Sequence, residues 1–327
     1  MFLKKAYAGQ NEVWRYLVVI IIALPLAAVL GGIPLGIFVL ANGVQDGMGT
    51  MDLQEVLESG DYAQIGMSAN TFLFLMLLQF VAIFLVLWLM VRAAHKKKFL
   101  DITTARPKLD WSRIWFAFGV WTVLLAGAEI ISYLLDPENY IWQFELKSFL
   151  PLLAIALLIL PIQTSAEELV MRGYLMQGIS LISKHRWIPL LITSLAFGLL
   201  HGSNPEVAKY GFWVTMPGYI GIGVALAIMT LMDDGLELAL GVHAANNIFG
   251  ALFVTFEGSV LSTPALFKVQ EINPLLGTIM TLVFSILFLF VTARKYGWTD
   301  WTKTYGEVER EDWGNDEARD ENVAIIE

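Results

Sequence analysis

WRYLVVIIIALPLAAVLGGIPLGIFVL, residues 14–40, holds a single charged side chain, Arg15, at its beginning. As a helix rising 1.5 Å per residue, it reaches beyond the roughly 30 Å of hydrocarbon in a bilayer. It is too long for the apolar core of a signal peptide, and no convincing cleavage site follows it. The stretch is therefore the first membrane span. Similar apolar blocks recur along the chain and set its class. Of the 327 residues, 57% are hydrophobic and 16% charged, and the mean hydropathy is +0.63. Soluble domains carry about a quarter charged residues, so the chain is a polytopic all-α membrane protein.

Eight spans are expected, at about 14–41, 70–92, 111–135, 149–181, 187–203, 211–232, 236–256 and 274–294. The fourth exceeds one simple crossing, and a break is expected near Pro161 because proline removes a helical hydrogen bond. Lys and Arg gather in four places: Lys4, Lys5 and Arg15 at the start; Arg92 to Arg113; Lys184 and Arg186; and Arg294 with Lys295. Eight alternating helices bring all four to one side, which the positive-inside rule assigns to the cytoplasm together with both termini. The loop between the first two spans has Asp46, Asp52, Glu55, Glu58 and Asp61 and no basic residue, and could hold a short surface helix between Gly43 and Ala69. Residues 296–327 carry ten acidic and three basic residues and read as a disordered, solvated cytoplasmic tail after a single transmembrane domain, 1–295.

Composition narrows the chemistry. With no cysteine, thiol nucleophiles, thiolate metal sites and iron–sulfur clusters are excluded. A net charge of −9 gives no case for nucleic acid as a partner. There is no Gly-x-Ser-x-Gly elbow around Ser165, Ser194 or Ser203, and no phosphate or dinucleotide loop.

Ionisable groups within spans are informative because each costs about 2.5–3.5 kcal/mol at a helix centre. Three segments concentrate them. In Ser165-Ala-Glu-Glu-Leu-Val-Met-Arg-Gly-Tyr174, Glu168 and Arg172 lie four apart and can pair, while Glu167 is turned about 100° away. His201 ends an apolar helix after Phe197-Gly-Leu-Leu. His243 and Asn247 lie one turn apart on one helix face. His95 and His185 fall in basic loops and are expected only to be solvated. The set suits hydrolysis by an activated water: Glu167 accepts a proton, His201 holds the water, and His243 and Asn247 donate to an oxyanion. Glu168 and Arg172 support them. The same residues leave zinc open as a cofactor, with Glu167, His201 and His243 as candidate ligands, although no His-Glu-x-x-His is present.

Through Glu167-Glu168-x-x-x-Arg172, Phe197-x-x-x-His201 and His243-x-x-x-Asn247, in that order, the chain resembles the CPBP family of intramembrane proteases, which includes the type II CAAX prenyl endopeptidases. The resemblance covers about 149–256, the expected protease core. It implies an eight-helix fold with a cavity toward the cytoplasmic half, in the inner (cell) membrane of a bacterium. It also implies an intramembrane endopeptidase in which Glu167 and His201 activate water and His243 and Asn247 form the oxyanion site. Family members have been described both as metalloproteases and as metal-independent glutamate proteases. The implied partners are membrane lipid and a peptide or protein substrate, lipidated or not. The competing readings are a non-proteolytic scaffold or bacteriocin-immunity protein that keeps the fold, and a proton-relaying transporter, which would need paired broken helices and repeat symmetry.

Overall fold

The computed structural model describes residues 1–45, 47–49, 52, 56 and 62–308. The surface helix expected within 43–69 and the tail beyond residue 308 fall largely outside them. Among the described residues, the helices of more than ten residues are α1 (Val13–Gly43), α2 (Ala69–Ala93), α3 (Trp111–Leu135), α4 (Leu146–Ser180), α5 (Trp187–Leu200), α6 (Phe212–Asp233), α7 (Glu237–Leu252) and α8 (Pro274–Tyr296). Six are long and apolar enough to cross a membrane. The other two, α5 with 14 residues and α7 with 16, span only about 21–24 Å. The chain is thus a polytopic helical membrane protein, with two of the eight expected spans shorter than a full crossing.

Burial separates the centre of the bundle from its rim. Half of the most apolar window of α6 is buried, against 11% for α3. Leu134, Leu135 and Trp213 lie exposed, as lipid-facing side chains do in the absence of water. Most of α7 is buried too, packed against α3, α4 and α6. Its approach to α3 depends on Gly241, where a Cβ would sit 2.3 Å from the Ile114 carbonyl oxygen. Small residues permit such contacts between membrane helices.

α4 is broken where the prolines predict. Its hydrogen bonding is interrupted at Ile159, next to Leu160 and Pro161, and beyond Glu168 it widens into a π-helical segment, Leu169–Leu175. Gly173 in that segment admits the backbone of the α2–α3 loop, since a Cβ there would lie 2.5 Å from the Ile102 carbonyl. A small sheet caps one end of the bundle: β1 (Tyr140–Trp142) runs antiparallel to β3 (Phe267–Val269), and β2 (Val254–Phe256) runs parallel to β3.

The opposite end gathers the basic loops and both ends of the described chain. Phe2 N–H donates to Asp234 (2.8 Å), Gln177 to the Asp101 carbonyl (2.8 Å), and Lys303 to Asp234 (2.5 Å). Arg106 bridges Asp233 (3.0 Å) and Glu237 (3.2 Å), and Arg113 also pairs with Asp233. Two of the basic residues that mark this end therefore neutralise acids at the α6–α7 turn.

One expectation is corrected here. His95 is fully buried. Its Nδ1 lies 2.7 Å from the Gln10 carbonyl and its Nε2 2.6 Å from the Tyr174 hydroxyl. Burial pushes its pKa down to about 4, so the ring is neutral. The N-terminal segment folds over the α2–α3 loop and encloses it; Lys97 beside it donates to the Ala6 carbonyl (2.6 Å) and the Tyr16 hydroxyl (3.0 Å). Beyond α8 the chain continues against the basic end of the bundle. Gly297 ends α8 in the left-handed region, and a short helix, Thr302–Tyr305, follows. Arg186 N–H then bonds Gly306, and Val308 N–H bonds Lys184. Trp298, packed against the core, and backbone pairing dock this stretch, which charge counting does not register.

Candidate active site

Four helices converge on one polar cluster. Glu168, on α4, is fully buried, and its Oε1 accepts from Arg172 Nη1 (2.8 Å) and faces His243 Nδ1 (2.8 Å). Arg172 is equally buried; its Nη2 donates to the Gly223 carbonyl of α6 (3.0 Å), and its guanidinium lies 4.4 Å over the Phe197 ring of α5. The Glu168–Arg172 pair predicted from four-residue spacing is present. Two buried charges are tolerable here because each has an opposite charge or a carbonyl to answer it.

Glu167 points elsewhere, as its rotation requires. Its Oε1 accepts from Gln163 Nε2 at 2.6 Å. Its Oε2 is buried without a hydrogen-bond partner and lies 3.5 Å from His243 Nε2. His243 is thus held between two carboxylates. With Nδ1–H donated to Glu168, the neutral ring presents an unprotonated Nε2 toward Glu167. In that tautomer Glu167 Oε2 and His243 Nε2 are both acceptors, which one shared proton or a bridging donor satisfies.

His201 is placed differently. It caps α5, and its Nδ1 lies 2.7 Å from the Phe197 carbonyl, so its Nε2 also remains an acceptor in the neutral ring. The Phe197 ring lies between the imidazoles, with centroids 4.6 Å from His201 and 5.7 Å from His243. His201 stacks on Tyr219 of α6 at 4.6 Å, and the Tyr219 hydroxyl donates to Glu206. Glu206 in turn accepts the Val260 N–H at 3.1 Å. Asn247 joins the cluster through Gln163, donating to its Oε1 at 3.0 Å.

All six residues singled out in the sequence lie in this region, but the imidazole beside Glu167 is not the one expected to share its water. His243, not His201, faces Glu167. Gln163 and Tyr219 were missed. Gln163 had a signal, being a polar residue one turn before Glu167 in an apolar span; Tyr219 had none. Ser194 is occupied with the Leu190 carbonyl (2.7 Å) and reaches no imidazole. Among the described residues no group of three His, Asp or Glu side chains is arranged so that it could hold a metal ion. The cluster lies near mid-bundle: Glu167 is thirteen residues before the end of α4, about 20 Å from the basic end.

A family model described as "Type II CAAX prenyl endopeptidase Rce1-like" matches residues 147–249, which hold all six residues. The chain is 33% identical over 282 residues to a Bacillus subtilis (strain 168) protein named "Uncharacterized protein YyaK", covering 86% of this chain and 91% of that one. No solved structure matches.

Proposed function

Because the chain belongs to the Rce1-like type II CAAX prenyl endopeptidase family, we propose that it cleaves peptide bonds within the membrane by a water activated between Glu167 and His243. The observation that carries this reading is the 3.5 Å separation of Glu167 Oε2, which has no hydrogen-bond partner, and His243 Nε2. A water there donates one hydrogen to each and keeps a lone pair for attack. As its oxygen bonds to the scissile carbonyl carbon, one proton passes to Glu167. The carbon–nitrogen bond then breaks, and that proton leaves with the amine. Gln163 fixes the other carboxylate oxygen, which keeps Oε2 in place.

Glu168 sets the His243 tautomer, and Arg172 holds Glu168. Asn247 supplies an N–H to the developing oxyanion. His201, with its Nδ1–H tied to a backbone carbonyl, assists that oxyanion only as imidazolium. This division modifies the one implied by the resemblance, which gave the water to Glu167 and His201. The basic loops support an inner-membrane protein with both termini cytoplasmic.

The test compares purified wild type with Glu167→Gln on a peptide library, with and without chelator. Cleavage that Glu167→Gln abolishes and chelator leaves intact is the expected result. Near wild-type cleavage by Glu167→Gln refutes the base assignment and favours a scaffold or immunity role. Activity lost to chelator and restored by zinc moves the mechanism to a metal.

A further inference from the structure

Three carboxamides form a continuous row from the candidate base to the surface of the bundle. Gln163 donates to Glu167 (2.6 Å), Asn247 donates to Gln163 (3.0 Å), and Asn246 donates to Asn247 (3.3 Å). Exposure rises along it: Gln163 is buried, Asn247 half-buried and Asn246 exposed. Asn246 sits mid-way along α7, held on its other side by the indole N–H of Trp121 on α3 (3.3 Å). Water solvates an exposed amide at a surface, but in hydrocarbon its unused donor and lone pair have no partner. The position therefore faces something polar. Space for an occupant lies alongside: at Gly250, one turn further on α7, a Cβ would meet nothing within 4 Å.

The unused capacity is of one chemical kind. Each carboxamide has two N–H donors, and the row engages one in each. Donors and carbonyls of this type match a peptide backbone, whose N–H and C=O groups are free only when the chain is extended. We infer that Asn246, Asn247 and Gln163 form a rail that binds the main chain of an extended substrate segment and leads its scissile bond to Glu167. The inference rests on the peptidase reading and adds a substrate requirement to it. The cleaved segment is unpaired and extended, such as a chain terminus or loop, and not an intact transmembrane helix.

Full-length protein in detergent micelles, given a proteome-derived peptide library with products identified by mass spectrometry, supplies the probe. The best-cleaved peptide is then made with a fluorophore–quencher pair, and again with single N-methyl groups at backbone amides near the scissile bond. Loss of one neutral hydrogen bond predicts that Asn246→Leu raises KM about tenfold, with kcat changed less than about twofold. One N-methyl position raises KM similarly in wild type and adds nothing in Asn246→Leu. An unchanged KM, a fall confined to kcat, or N-methyl penalties absent at every position in wild type overturns the rail while the peptidase reading stands. No cleavage by wild type, or equal cleavage by Glu167→Gln, overturns the peptidase reading and the rail with it.

Discussion

Replacing Glu168 with Gln tests whether the buried carboxylate holds the site together. The side chain is fully buried, and its Oε1 serves both Arg172 and His243 at 2.8 Å. Glutamine keeps the shape and an acceptor oxygen but removes the negative charge. Arg172, itself fully buried, then retains only the Gly223 carbonyl and the Phe197 ring. Leaving one member of a buried pair without its partner costs about 3–5 kcal/mol, and the retained oxygen places glutamine at the lower end, about 3 kcal/mol. For a chain of this size that corresponds to roughly 4 °C in Tm, read by tryptophan fluorescence during heating in detergent. The double variant Glu168→Gln/Arg172→Met removes the orphaned cation and recovers stability to within about 1 kcal/mol of wild type. Activity does not return with it, because the amide oxygen that remains carries no charge to hold the His243 Nδ1–H as the carboxylate did. A double variant with both stability and turnover restored refutes the orienting role of Glu168. A single variant as stable as wild type refutes the buried pair.

Acid sensitivity is expected from His95, whose folded-state pKa of about 4 lies below its unfolded value of about 6.5. The unfolded chain binds the extra proton in this window, so the contribution of His95 is complete above pH 6.5 and is lost as pH falls toward 4, by about 2 kcal/mol after allowance for partial solvation. In His95→Gln, unfolding measured across that range has a flatter pH dependence; an unchanged slope places the sensitivity elsewhere. For topology, tags at either terminus are expected to be inaccessible in sealed right-side-out cells and accessible after permeabilisation, and labelling of either tag in intact cells refutes the orientation.

The helices were legible because each rests on a property of its own residues. Runs such as 14–40 exclude charge over a length that only a spanning helix needs, and Pro161 marks the interruption of α4 through its missing N–H. The expected end of α5 at residue 203 overshot to Leu200, since apolar residues up to that point say nothing of where backbone pairing stops at His201. The burial of His95 was invisible for a different reason. It depends on Gln10 and Tyr174, which are remote in sequence, closing over a loop whose neighbouring lysines suggest water.

In the candidate site the same division separates what spacing fixes from what packing decides. Glu168 and Arg172 meet because four residues along one helix set their positions, and Glu167 diverges because one residue turns it by about 100°. Which imidazole faces which acid depends instead on how α5 and α7 pack on α4. The close approach at Gly241 positions α7, and the Phe197 ring keeps the His201 imidazole from the place that His243 occupies. Gln163 belongs to both descriptions. Its position one turn before Glu167 was available from spacing, but its bond to Asn247 exists only because α7 lies against α4. A single side chain thus links the carboxylate proposed to take the proton with the amide proposed to receive the oxyanion, so a shift of α7 along α4 disturbs both halves of the reaction together.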